Sequence, residues 1–98
     1  MSKLEAEFAL QLSALKIPYT DQVRVDKVRR WRWDFRVKDI LIDIQGGTWT
    51  GGRHVRGTGY QNDCDKANAA VKQGYKVLRF TGQDVKSGAA MQFLESML

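Results

Sequence analysis

The run Ile40-Leu41-Ile42-Asp43-Ile44 constrains this chain more than any other stretch. It is short and β-branched, with polar residues before it and glycines after it, and it reads as a buried strand. Yet Asp43 sits inside it, and a little upstream Asp34 interrupts the aromatics of Trp33-Asp34-Phe35. A carboxylate among apolar side chains is costly unless it is paired or bound to a metal. Two such acids on neighbouring strands point to a divalent-cation site. Gly46 and Gly47, directly behind, let a backbone or ligand approach closely.

At 98 residues, with 43% hydrophobic and 28% charged side chains, the chain is expected to form one globular domain over residues 1–98. Its one cysteine, Cys64, excludes an internal disulfide and a multi-cysteine zinc site, and its one histidine excludes the usual zinc ligand sets. No apolar run approaches the roughly 20 residues that span a bilayer, and there is no signal-peptide core. A cytoplasmic location without membrane contact is expected, nucleoid-associated if DNA is bound. The net charge of +5 favours a polyanionic partner.

Ser2 and Glu5 have capping-box spacing, and Leu4, Phe8, Leu12 and Leu15 follow at helical steps. The spacing predicts a helix over 3–16, closed by Pro18. At about 100° per residue, Glu5 lies nearer the centre of the apolar stripe than Glu7. Glu5 can therefore look inward, although both acids also suit the first turn of a helix dipole. A first strand is expected at 22–26. Arg29, Arg30 and Arg32 then interleave with Trp31 and Trp33. Strand alternation would put both tryptophans on one face and Arg30 and Arg32 on the other. Two readings stay open: phosphate-contacting arginines beside stacking aromatics, or core tryptophans under a solvated basic face.

Val37-Lys38-Asp39 is expected to turn the chain into the Ile40–Ile44 strand, bringing Asp34 near Asp43. In that strand Asp43 and Gln45 share one face, and Ile42 and Ile44 the other. Residues 46–60 read as a glycine-rich loop carrying Arg53, His54 and Arg56, suited to phosphate contact. It holds no Walker A or dinucleotide-binding pattern. His54 is open as a general base or phosphate ligand, although a lone loop histidine is more often neither. A helix over 61–73 ends at Gly74 and sets Asp63 and Lys66 on one face. A strand over 75–80 and an amphipathic helix over 84–98, with Val85, Ala89, Phe93 and Met97 on its stripe, complete an α-β-β-β-α-β-α order. That order describes an α/β sandwich.

In this order, Glu5 on the first helix, Trp33-Asp34-Phe35, Ile42-Asp43-Ile44-Gln45-Gly46-Gly47, the Asp63/Lys66 helix and Gly74-Tyr75-Lys76-Val77-Leu78-Arg79-Phe80 cover nearly the whole chain. Together they resemble a minimal PD-(D/E)XK nuclease, similar to very-short-patch repair endonucleases and small phage-encoded nucleases. The resemblance implies a restriction-endonuclease-like αβββαβ core, a small mixed sheet flanked by helices, with an extra C-terminal helix. It makes Asp34 the first metal-binding aspartate, Asp43 the acid of the second motif, and Glu5 the first-helix acid, with Glu7 as its substitute. The main-chain carbonyl of Ile44 would be a further metal ligand. Gln45 stands where the motif's lysine belongs, a departure that some members tolerate. Lys66 or His54 could supply the missing group from another backbone position.

The implied activity is Mg²⁺-assisted hydrolysis of DNA phosphodiesters, with Mn²⁺ able to substitute. Arg30, Arg32, Arg53, His54 and Arg56 would hold the nucleic-acid backbone. A chain this small has little room for a base-reading domain. Branched, nicked or mismatched DNA is therefore expected over a long recognition sequence, with a homodimer as one way to engage it. If the chain is phage-encoded, the host cytoplasm is its compartment. Gln45 supports a competing reading, a DNA-binding protein that kept the nuclease fold and lost catalysis. A protein-binding module using the tryptophans and the basic face is a third, but it leaves the strand acids unexplained.

Overall fold

The computed structural model of the protein describes residues 1–46 and 58–98. Its elements are α1 (Lys3–Ala14), β1 (Thr20–Val23), β2 (Trp33–Val37), β3 (Ile40–Gln45), α2 (Thr58–Lys72), β4 (Lys76–Thr81), α3 (Gly82–Ser87) and α4 (Ala89–Ser96). The strands form one mixed sheet in the order β1-β2-β3-β4. The first two pairings are antiparallel, and β3 and β4 run parallel with α2 as the crossover. This is the expected α/β core with helices on both faces and a helical C-terminal extension.

β3 is central and carries buried apolar residues toward both layers, as its near-continuous hydrophobic run requires. Ile40 and Ile42 pack with Phe8, Leu12, Phe35, Val37, Phe80, Val85, Met91 and Leu94, joining the sheet to α1, α3 and α4. Leu41 packs with Trp33 and Ala70, joining it to α2. Each large side chain fully buried in these layers contributes roughly 1.5–3 kcal/mol of transfer free energy.

Local chemistry sets the element ends. Ser2 Oγ accepts from Glu5 N at 3.2 Å and starts α1. At its far end Lys16 takes φ 57°, and Ile17 N–H returns to Leu12 C=O at 2.9 Å. A lysine thus occupies the left-handed position that glycine usually fills. Gly74, φ 100°, ends α2 as expected, with Tyr75 N–H donating to Ala70 C=O at 3.1 Å. The hairpin between β2 and β3 closes on Lys38-Asp39, Lys38 having φ 54°.

Four sequence expectations are corrected. β1 runs over Thr20–Val23 and not 22–26, because Thr20 and Val23 pair with Arg36 and Trp33. Asp26 then turns the chain: its carboxylate accepts from Val28 N–H at 2.9 Å and Arg29 N–H at 2.7 Å. Those two amides, that of Arg29 first, hold its carboxyl below the usual carboxylate value. β2 consequently begins at Trp33, so Trp31 lies outside the sheet, and of these two tryptophans only Trp33 belongs to the core. α2 includes Gly59 and Tyr60, which the sequence placed in the preceding loop. The C-terminal helix is broken at Gly88, φ 86°. That left-handed residue re-phases the stripe, so Ala90, Met91 and Leu94 are buried while Phe93 is 54% exposed.

Candidate active site

The β2–β3 ladder stops where the two aspartates begin. Backbone pairing runs from Val37↔Ile40 to Phe35↔Ile42. Beyond it, carboxylates take the place of carbonyls: Ile44 N–H donates to Asp34 Oδ2 at 2.7 Å, and Asp34 N–H donates to Asp43 Oδ1 at 3.4 Å. The strands splay here, with an acid from each inserted between them. Trp33 leaves the layer that holds Phe35 and packs beside Leu41 and Ala70 under α2. The simple alternation expected through Trp33, Asp34 and Phe35 fails for this reason.

α2 supplies a cation to the splay. Lys66 Nζ lies 2.8 Å from Asp43 Oδ2, the two side chains being 12% and 11% exposed. The same ammonium sits 4.0 Å from the Trp33 ring centroid. A nearly buried cation over an indole face gains about 1–2 kcal/mol, and the ring limits where the amine can point. Asp43 is thereby the one buried charged residue among those described, and it has the partner such burial demands.

Among the described residues, Asp34 has no such direct cation. Its carboxyl is held above the ordinary carboxylate value, first by burial and then by repulsion from Asp43 and Glu5. The Ile44 N–H and the more distant Lys66 charge pull the other way. Glu5 projects from α1 toward this end of the sheet, where its Oε1 accepts from Gln22 Nε2 at 3.2 Å. Leu4 fixes that helix end: a Cβ on Gly46 would lie 3.1 Å from Leu4 Cδ1, and one on Gly82 would lie 2.9 Å from it. A side chain at either glycine would push the Leu4 methyl aside, so α1 packs closely on the ends of β3 and β4.

The expected constellation is therefore assembled in part. Asp34, Asp43 and Lys66 converge, and Ile44 contributes its peptide to the same splay. Gln45 is half-buried at the end of β3, in register with Thr81. Glu5 borders the acids without closing a triad. Among the described residues, no three His, Cys, Asp or Glu side chains are grouped to hold a metal ion. Glu7 is half-buried on α1. Arg30 and Arg32 are exposed on the turn before β2. Arg53, His54 and Arg56 lie outside the described residues.

Sequence reasoning missed three participants. Trp33, which the sequence left open between a core and a stacking role, is buried and is also the platform beneath Lys66. Gln22, φ 52°, engages Glu5 from a left-handed conformation inside β1, which nothing in its local sequence announces. Arg79 stands beside Asp43 in the parallel register and donates to Asp63 C=O at 3.0 Å. The Asp63/Lys66 spacing, by contrast, did mark the face of α2 from which Lys66 reaches Asp43.

Among solved structures, the catalytic domain of the homing endonuclease I-Bth0305I superposes with a TM-score of 0.72. The match covers 98% of this chain and 92% of that one at 18% identity, a likeness of fold. No protein-family model and no curated protein matches the chain. Among the described residues, no helix is long and apolar enough to cross a membrane.

Proposed function

We propose that the protein is a metal-dependent DNA endonuclease of the PD-(D/E)XK type, with its catalytic lysine displaced from β3 to α2. The observation that carries this reading is the Lys66–Asp43 contact at 2.8 Å, which returns an amine to the acid whose strand carries Gln45 instead of lysine. The resemblance in fold to a homing endonuclease catalytic domain supports a phosphodiester substrate. So does the net charge of +5.

The donor set suits Mg²⁺ or Mn²⁺. Magnesium is held by one or two carboxylates with the remaining positions left to waters and substrate oxygens, and two hard, mutually repelling carboxylates are what the splay provides. Asp34 and Asp43 would hold the ion, with the Ile44 carbonyl as a further ligand and Glu5 at the margin. When bound, the ion supplies charge neutralisation at the phosphate and a more acidic water.

The chain's own groups do the rest. Asp43 fixes Lys66, and the Trp33 face restricts its rotation, so the ammonium is aimed before substrate arrives. An amine so placed orients the attacking water and offsets negative charge as the phosphorus becomes five-coordinate. Arg30 and Arg32 hold the flanking backbone from the turn before β2.

The test is cleavage of linear, branched and mismatched DNA with Mg²⁺ or Mn²⁺ by wild type, Asp43→Ala and Lys66→Ala. Metal-dependent cleavage by wild type alone is expected. Metal should also raise the wild-type Tm, but not that of Asp43→Ala. Tight DNA binding with no cleavage of any substrate would instead establish a catalytically silent binding protein, the reading that Gln45 favours.

A further inference from the structure

Between Arg24 and Arg32 the chain carries Arg24, Lys27, Arg29, Arg30 and Arg32, all exposed, against the single acid Asp26. Five cations in nine residues repel one another, and a turn built from them has every electrostatic reason to spread and fluctuate. This one is ordered. Asp26 accepts from the backbone amides of Val28 and Arg29. Arg29 is laid over the Trp31 ring, its guanidinium carbon 5.2 Å from the centroid. Trp31 Nε1–H donates to Asn62 Oδ1 at 3.0 Å, which seats the turn on α2 one helical turn before Lys66. The apex residue, Val28, is 87% exposed and is turned toward solvent among these cations.

We infer that residues 24–32 form a pre-ordered clamp for duplex DNA, in which the Asp26-locked turn presents Lys27 and Arg29 to the phosphates beside Arg30 and Arg32. This rests on the nuclease reading and extends it: it names the surface that holds the duplex and the device that keeps that surface ready. Asp34 lies six positions after Val28, so the apex lies at most roughly 20 Å from the acid pair. That reach fits phosphates on the same duplex turn as a bond held at the splay. A polyanion is the partner whose charge this turn complements. Val28 supplies an apolar contact to the sugar edges between phosphate rows. Order set in advance spares the side-chain entropy that a loose basic loop loses on binding.

Asp26 gives the inference a test that separates order from charge. Removing an acid from a basic patch strengthens DNA binding if only charge matters. Affinity for a fluorescent duplex is measured in EDTA, so that binding is read without cleavage, for wild type, Asp26→Ala and Asp26→Asn. Asp26→Ala is expected to bind about three- to tenfold more weakly despite its extra net positive charge, because the turn loses its lock. Asp26→Asn keeps the acceptor, loses the charge, and is expected to bind as tightly as wild type or more so. Lys27→Ala and Arg29→Ala together should reduce the steepness of log affinity against log salt by about 1–2. Asp26→Ala binding as tightly as wild type, Asp26→Asn weakening as much as Asp26→Ala, or an unchanged salt slope would each overturn the clamp. Cleavage with metal by a wild type whose Asp26→Ala binds undiminished removes the clamp and leaves the nuclease. Weakened binding by Asp26→Ala beside a wild type that never cleaves removes the nuclease reading and leaves the clamp on a DNA-binding protein.

Discussion

Lys66 Nζ meets Asp43 Oδ2 at 2.8 Å from a helix position that lies 23 residues further along the chain. The contact depends on the parallel pairing of β3 with β4, since α2 is the crossover between them and must lie across the face that carries Leu41 and Asp43. A buried acid and the amine that serves it are thus consequences of one topological choice.

Replacing Lys66 by Met keeps much of the side chain's volume and removes the charge. Asp43 is then left in its nearly closed position without a cation, a loss of about 3 kcal/mol by analogy with other broken buried pairs. Urea unfolding should show that loss, and Asp43→Asn added to Lys66→Met should recover much of it. If the two substitutions prove additive, the pair is not coupled in the way the geometry indicates.

Gln45 and Asp43 share a face of β3, so a lysine at position 45 would approach the same acid from the strand itself. In the wild-type background Gln45→Lys is expected to change the cleavage rate little, because α2 already provides the amine. Lys66→Ala should lower the rate by about 10²-fold or more, and Gln45→Lys placed on that background should restore at least about tenfold. Failure to restore any rate in a folded double variant would mean that Lys66 acts from a position the strand cannot reach.

Much of this architecture was legible because it rests on local patterns. The β3 run, the Ser2 cap, the Gly74 stop and the Lys38-Asp39 hairpin each declare themselves within a few residues, and the order of elements follows. The two strand acids were legible for the opposite reason, as charges that an apolar pattern should not contain. What could not be read depended on partners distant in sequence. Trp33 turns away from the Phe35 layer only because carboxylates interrupt the β2–β3 ladder. Gln22 adopts φ 52° where it meets Glu5 of α1. The Gly88 break lay hidden because Val85, Ala89, Phe93 and Met97 make an acceptable stripe if the helix is continuous.

That break can be tested alone. Gly88 has φ 86°, and a Cβ built there meets nothing within 4 Å, so Ala at this position suffers backbone strain without a clash. Gly88→Ala should destabilise the fold by about 1–2 kcal/mol in urea unfolding. A neutral or stabilising effect would indicate a continuous C-terminal helix, with Phe93 and Met97 on the buried stripe.

Asp34 offers a test in pH. Burial, with repulsion from Asp43 and Glu5, holds its carboxyl above the ordinary value, so the folded chain binds this proton more tightly than the unfolded chain does. The sign follows from linkage: Asp34 favours folding at pH values below its unfolded pKa, and that contribution is lost as pH rises through the raised folded pKa. An asparagine at this position still offers an oxygen to Ile44 N–H and carries no charge to desolvate. Asp34→Asn should therefore be more stable than wild type near neutral pH, and the gap should close below about pH 4. Urea midpoints at both ends of that window decide it; a gap of equal size throughout would mean that the substituted amide acts by packing. Mg²⁺ at neutral pH should narrow the gap from the wild-type side, because a bound cation relieves the repulsion that raises the carboxyl and the Asp34→Asn variant has no charge there for it to compensate.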